Sequence, residues 1–335
     1  MARIAEVMAR ELHALGATVA IVEGGHLSAE LEGVGRPLLL IGHTDTVWPE
    51  GTLESMPFRV EGGRAYGPGV YDMKACLAVL VEAVRCAGGE RRALRVFLTA
   101  DEELGSPTGR AWLEAAAEDV AAALVVEPPT PEGNLKTARK GLGRFRLTIT
   151  GRPAHAGTHR ADGVSAIEEL AHQILALHSL NDDDRGISLN VGIVEGGTTE
   201  NVVAAEATAH VDVRIASAAD LPRVERALRE LEPVLEGATM ELGGGWTRPP
   251  LERSPGGAAM AERARSYGHE LGLDLQEASS GGGSDGNIVG ALGVPVLDGL
   301  GAEGGGAHAL DEHVLLDSIP KRAELLARLL RNPGI

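Results

Sequence analysis

Thiols are nearly absent from this chain, with only Cys76 and Cys86 among 335 residues. Both fall in one helix-like stretch, which excludes a disulfide framework and points to a reducing compartment, the cytoplasm. Neither lies in a cysteine or histidine pattern, so a thiolate metal site is excluded as well. Long apolar runs are also missing. Residues 1–16 are interrupted by Arg3, Glu6, Arg10 and Glu11, unlike the core of a signal peptide. No stretch approaches the length of a membrane span. Basic charge is in deficit, with 31 Lys and Arg against 48 Asp and Glu and a net charge of -17. That balance argues against nucleic acid or an anionic membrane as partner. Heptads, low-complexity tracts and long repeats are lacking too.

What is present is ordinary globular composition, 44% hydrophobic and 24% charged. The length favours two domains over one core. Helix-like and strand-like segments alternate through the first part: helix 1–15, strands 18–23 and 37–41, helix 73–87, strand 94–99, helix 105–117 and strand 121–126. The alternation predicts an α/β fold, a mostly parallel sheet with helices on both faces. From about Arg144 the pattern changes to strand 144–150, helix 163–177, strands 188–194 and 204–215, helix 220–235 and strand 239–242. This β-α-β-β-α-β order predicts a ferredoxin-like α+β insertion. The domains expected are 1–140, the first part of a catalytic domain, an inserted 141–247, and 248–335, which completes the first.

Polar clusters follow the predicted strands. Leu38–Ile41 reads as a buried strand and runs into Gly42, His43, Thr44 and Asp45. In extended chain, residues two apart share a face, so the carboxylate can stand behind the imidazole and fix its orientation. Alone, the pair reads equally as two solvated groups at a strand end. A Gly/Pro turn delivers Asp72 at a helix start, as a ligand or as an N-cap. Asp101, Glu102 and Glu103 follow a second strand, Glu127 a third. A glycine-rich loop precedes His308. Adjacent glutamates are costly to gather without compensating charge. Nitrogen and carboxylate donors without thiolate suit a catalytic pair of Zn²⁺ ions, with Co²⁺ or Mn²⁺ possible. One carboxylate then bridges the pair, and another stays off the metals as general base. One of Glu102 and Glu103 suffices as ligand, which leaves the other for that role.

The runs Gly-His43-Thr-Asp45-Thr-Val, Gly-Val-Tyr-Asp72-Met-Lys, Asp-Glu102-Glu103-Leu-Gly, Glu127-Pro and Gly-Ala-His308, in this order, resemble one family. It comprises the dizinc metallopeptidases of carboxypeptidase G (glutamate carboxypeptidase) type, with aminoacylase, acetylornithine deacetylase and succinyl-diaminopimelate desuccinylase. The resemblance spans nearly the whole chain. It implies that Asp72 bridges two zincs, with His43 and Glu127 on one and Glu103 and His308 on the other. It implies Glu102 as general base and acid, Asp45 as the group orienting His43, and a cis peptide after Asp72. The insertion corresponds to a lid or dimerisation domain. There Gly151-Arg-Pro-Ala-His155 matches the segment whose histidine stabilises the oxyanion, often across a dimer. Asn201 and Arg214 match lid positions that bind substrate, although Arg214 reads equally as a structural surface arginine. Gly282 and Gly283 match a pocket loop supplying backbone donors, with a plain glycine turn as the alternative.

Two departures stand out. The chain starts where the later part of the family's first helix is expected, as if an N-terminal segment were missing. Glu277 to Ser280 lacks the arginine that some carboxypeptidase G-like members place ahead of the glycine loop, so preference for C-terminal glutamate is not implied. The expected activity is metal-dependent hydrolysis of the amide bond of a small peptide or N-acyl amino acid, by a metal-bridging water that Glu102 activates. The expected partner is a second copy through the lid. The alternatives are an N-acyl-amino-acid deacylase and an inactive metal-binding homodimer.

Overall fold

The computed structural model describes residues 2–335. The fold is mixed α/β and divides into two units: residues 2–139 with Leu251–Ile335, and Lys140–Pro250. The first helix runs Ala2–Ala14; Met1, the first residue of the expected helix, lies outside the described residues. Among the described residues no helix is long and apolar enough to cross a membrane.

The first unit is built on a six-stranded sheet in the order Thr18–Ile21, Leu27–Leu31, Arg92–Thr99, Val34–His43, Ala122–Val125, Val296–Leu297. The last four strands run parallel, and the first two pair antiparallel. The sheet is therefore mixed at one edge. The turn Glu23–Gly25 joins the two edge strands, and a link that short makes a hairpin, not a parallel crossover.

Leu38, Leu39, Leu40 and Ile41 are all fully buried. Leu38 and Leu40 pack with Val79, Leu80 and Leu326 from the helices Ala75–Ala87 and Ser318–Arg331. Leu39 and Ile41 pack with Leu113 and Ile288 from Arg110–Ala116 and Asp285–Ala291. A strand covered on both faces has no polar side, hence the unbroken apolar run. Burying each such side chain contributes about 1.5–3 kcal/mol.

Register sets the geometry of the sheet's edge. Ile41 lies beside Phe97 and Val125, and His43 beside Thr99. The residues that follow these strands emerge together at their carboxyl ends, where open α/β sheets build their sites.

Among the elements that differ from the sequence reading, three do so for clear local reasons. The helix expected at 105–117 starts only at Arg110, because Asp101 Oδ2 accepts the Thr108 and Gly109 N–H groups and Ser106 is left-handed at φ 56°. The helix expected at 220–235 ends at Arg229; Pro233 follows, and Val234 and Leu235 donate their N–H groups to Glu169 instead. The short strand expected at 239–242 runs the full Thr239–Arg248. Its glycines pair with the neighbouring strand, and Trp246 packs edge-on against Phe145.

The second unit is a four-stranded antiparallel sheet in the order Ser188–Gly196, Glu206–Ile215, Gly141–Thr150, Thr239–Arg248. The helices Ala166–His178 and Leu221–Arg229 supply Leu170, Leu177, Val224 and Leu228 to its core.

Candidate metal centre

His43 ends its strand with its side chain about 1% exposed. Gly42 precedes it, where a Cβ would lie 3.1–3.2 Å from Val126, Leu77 and Met73. A larger residue there would have to push these side-chain ends aside. The His43 Nδ1 donates to the Asp45 carbonyl oxygen at 3.1 Å, and the Asp45 carboxylate lies 3.3 Å away. A carbonyl only accepts, so Nδ1 carries a proton, and Nε2 is the nitrogen that faces the site and would offer its lone pair to a metal once deprotonated.

Asp72 lies in an irregular turn, Val70–Lys74, ahead of the helix Ala75–Ala87. The helix begins two residues later than the sequence suggests, because Asp72 and Met73 have non-helical dihedrals. The Asp72–Met73 peptide is cis. Gly69 is left-handed at φ 68°, and a Cβ on it would sit 2.9 Å from Thr46 Oγ1.

The two Asp72 oxygens face different partners. Oδ1 is 3.1 Å from His43 Nε2, which in turn is 3.5 Å from Glu127 Oε1. Oδ2 is 3.4 Å from His308 Nε2, which in turn is 3.4 Å from Glu103 Oε1. Ligand bonds of 2.0–2.1 Å at tetrahedral angles put neighbouring donor atoms about 3.3 Å apart. Glu103 Oε1 is buried and lacks a hydrogen-bond partner among the described residues. These observations fit a metal pair sharing Asp72. Donor atoms of His43, Asp72 and Glu103 also lie within 4.8 Å of one another. That grouping crosses the two sets, as expected where both share one carboxylate. His308 is half exposed and opens the site on its side.

Electrostatics reinforce the picture. Burial and the neighbouring Asp72 charge push Glu127 up to about 7. Burial and Asp72 also raise Glu103. The Asp72 hydrogen bond holds His308 at about 9. Burial disfavours the charged form of His43, but Asp45, Asp72, Glu102 and Glu127 outweigh it and raise the imidazole well above its usual value. Burial opposes ionisation of Asp72 too, yet hydrogen bonds from His308 and His43 hold it below the usual carboxylate range. Three carboxylates compete here for too little positive charge, a deficit that bound cations would fill. Glu102 opens the turn Glu102–Leu104 beside Glu103, close enough for its charge to act on His43.

The remaining expected residues are described by their own surroundings. His155, Asn201 and Arg214 belong to the second unit. His155 pairs with Val202 in an isolated bridge, and Ala156 donates its N–H to the Asn201 carbonyl at 2.9 Å. His155 Nδ1 accepts the Gly157 and Thr158 N–H groups, both at 3.1 Å. The ring proton therefore sits on Nε2, on an exposed side chain. Arg214 pairs with Asp212 at 2.8 Å. The Gly282 and Gly283 carbonyls accept from Arg139, and the Gly282 N–H is engaged by Ser280 Oγ.

Three supporting residues, Arg139, Asp298 and Glu312, escaped the sequence reading. Arg139 is buried, pairs twice with Asp298 at 2.7 and 2.8 Å and approaches Glu127 at 3.8 Å. Asp298 directly follows the strand Val296–Leu297, the same strand-end signal that marks Glu127. Glu312 is fully buried and accepts four N–H groups of the loops around Asp72.

A model of the peptidase family M20/M25/M40 matches residues 39–332. The chain is 32% identical to carboxypeptidase G2 of Pseudomonas sp. (strain RS-16), over 97% of this chain and 82% of that protein. It is 28% identical to the succinyl-diaminopimelate desuccinylase of Thioalkalivibrio sulfidiphilus, over 89% and 84% respectively. Among solved structures, it superposes on the aminopeptidase PepT of Bacillus cereus with a TM-score of 0.81 at 22% identity, covering 98% of this chain and 92% of that one.

Proposed function

The chain belongs to the peptidase family M20/M25/M40 and is a hydrolase of that metal-dependent family, and from this premise we propose that it is a dizinc amidohydrolase of glutamate carboxypeptidase type. Its substrate is a small peptide or an N-acyl amino acid. The observation that carries this reading is Asp72, whose two oxygens each face a different histidine. His43 and Glu127 would hold one ion with Asp72, and Glu103 and His308 the other. Nitrogen and oxygen donors suit Zn²⁺ and admit Co²⁺ or Mn²⁺. Bound ions would supply Lewis-acid polarisation of the scissile carbonyl and an acidified water.

The chain's own groups do the rest. Glu102 accepts the proton of the attacking water and delivers it to the leaving amine nitrogen. Asp45 keeps the His43 proton on Nδ1. The second unit acts as a ferredoxin-like lid that excludes water, and its His155 donates Nε2–H to the tetrahedral oxyanion. Asn201 and Arg214 bind polar groups of the substrate, and the Gly282–Gly283 loop lines its pocket.

A homodimer through the lid is supported by the strand Ser188–Gly196, which ends its sheet and exposes Ile193 and Val194, and by exposed Ile167 and Leu175 on the helix Ala166–His178. An uncovered apolar edge of this kind is a pairing surface. Two free cysteines support a reducing compartment, the cytoplasm. The similarity to a desuccinylase favours N-acyl-amino-acid deacylation as the second reading.

The test is to strip the protein with a chelator, restore Zn²⁺, Co²⁺ or Mn²⁺, and assay folate-like glutamates, dipeptides, and N-acetyl- and N-succinyl-amino acids. Metal-restored cleavage of C-terminal amides supports the carboxypeptidase reading. Cleavage confined to N-acyl groups supports the deacylase. Full turnover by the stripped protein would sink both.

A further inference from the structure

We propose that Glu312 positions Asp72 by tying three loops of the metal centre to one buried carboxylate; this rests on the dizinc reading above. Glu312 is fully buried. Its Oε2 accepts the Trp48 indole N–H and the Gly69 N–H, both at 2.7 Å. Its Oε1 accepts the Tyr71 N–H at 2.9 Å and the Asp72 N–H at 3.1 Å. A carboxylate offers about four lone-pair sites, and these four donors match them.

The origins of the donors give the arrangement its meaning. Trp48 lies five residues beyond His43. Gly69, Tyr71 and Asp72 form the turn that presents the shared carboxylate. Glu312 itself lies four residues beyond His308, and its own carbonyl accepts the Gly67 N–H at 3.3 Å. One side chain thus links the His43, Asp72 and His308 loops. It acts on the ligands through backbone and indole, without needing to touch a metal. Charge-assisted bonds of this kind are roughly twice as strong as neutral ones. Ligands held by locked supporting groups bind metal in a geometry set beforehand. Because Glu312 holds the Asp72 backbone and Asp72 serves both ions, its loss weakens both sites together.

Glu312→Gln keeps the shape but turns one oxygen into an NH₂ group. That group then faces two N–H donors, either those of Trp48 and Gly69 or those of Tyr71 and Asp72. Trp48→Phe removes one donor and leaves three. The experiment titrates Zn²⁺ into the chelator-stripped full chain of wild type and both variants, well below each melting transition. The expected result is two ions per wild-type chain, with both binding steps about 10–100-fold weaker in Glu312→Gln, as for other partners that support ligands. Trp48→Phe shows a smaller loss in the same two steps. A purely structural Glu312 would lower the melting temperature and leave both steps unchanged, and that result overturns the proposal. If Glu312→Gln does not fold, Trp48→Phe decides by the same criterion. Fewer than two ions on wild type would overturn the dizinc reading itself.

Discussion

His43 and Asp45 meet twice: the imidazole Nδ1 lies 3.1 Å from the Asp45 carbonyl oxygen and 3.3 Å from its carboxylate. The carbonyl survives Asp45→Asn and still favours the Nδ1 tautomer. The other carboxylate oxygen accepts the Glu103 N–H at 3.0 Å, so the amide disturbs two of the proposed ligands at once. Asp45→Asn is expected to weaken metal binding or turnover by about 10–100-fold, with an unchanged melting temperature. Metal titration beside a melting curve checks both halves of this statement. Wild-type affinity in the variant would remove the orienting role.

Metal uptake is expected to depend on pH. In the metal-free protein Glu127 titrates near 7 and His308 near 9. Both must lose their protons to become ligands. Affinity therefore rises with pH through the window from about 7 to about 9 and goes on rising until His43, held well above its usual value, has also lost its proton. Acidification reverses the order, with His308 protonating before Glu127. Calorimetry in two buffers of different ionisation heat would detect the released protons. A pH-independent affinity with no proton release would contradict the donor set.

Arg139 and Asp298 form a buried bidentate pair. Arg139→Met leaves the fully buried Asp298 carboxyl without its guanidinium partner. Removing one partner of a buried pair costs about 3–5 kcal/mol. The shift in urea midpoint at constant slope should report a loss of that size. A change below about 1 kcal/mol, the level of an exposed pair, would show that the pair is not acting as a buried one.

His155→Ala is expected to lower kcat by about 10²–10³, as loss of an oxyanion donor does. Metal content should stay at the wild-type level. Steady-state kinetics on the metal-loaded protein measures this. A rise in KM alone, with kcat intact, would assign His155 to substrate binding instead.

The candidate strand-end residues were legible in the sequence because each follows a buried apolar run, and parallel register brings such ends together. His43, Glu103 and Glu127 belong to this class. Glu312 was not legible, because its partners are backbone N–H groups and an indole some 240–264 positions away in sequence. Backbone donors leave no mark in side-chain chemistry. Arg139 hid for a related reason: its partner Asp298 lies 159 residues on. The late start of the helix at Arg110 depends on an Asp101 side chain that competes for the first N–H groups. The Gly243–Gly245 run reads as a break, yet it stays extended because the neighbouring strand supplies its hydrogen bonds.

The most direct measurement of the mechanism is the kcat of Glu102→Ala loaded with two metal ions per chain, on the best substrate of the panel. With Glu102 as the proton carrier, kcat is expected to fall by about 10²–10⁴ while both ions stay bound. A fully loaded variant turning over at the wild-type rate would contradict it.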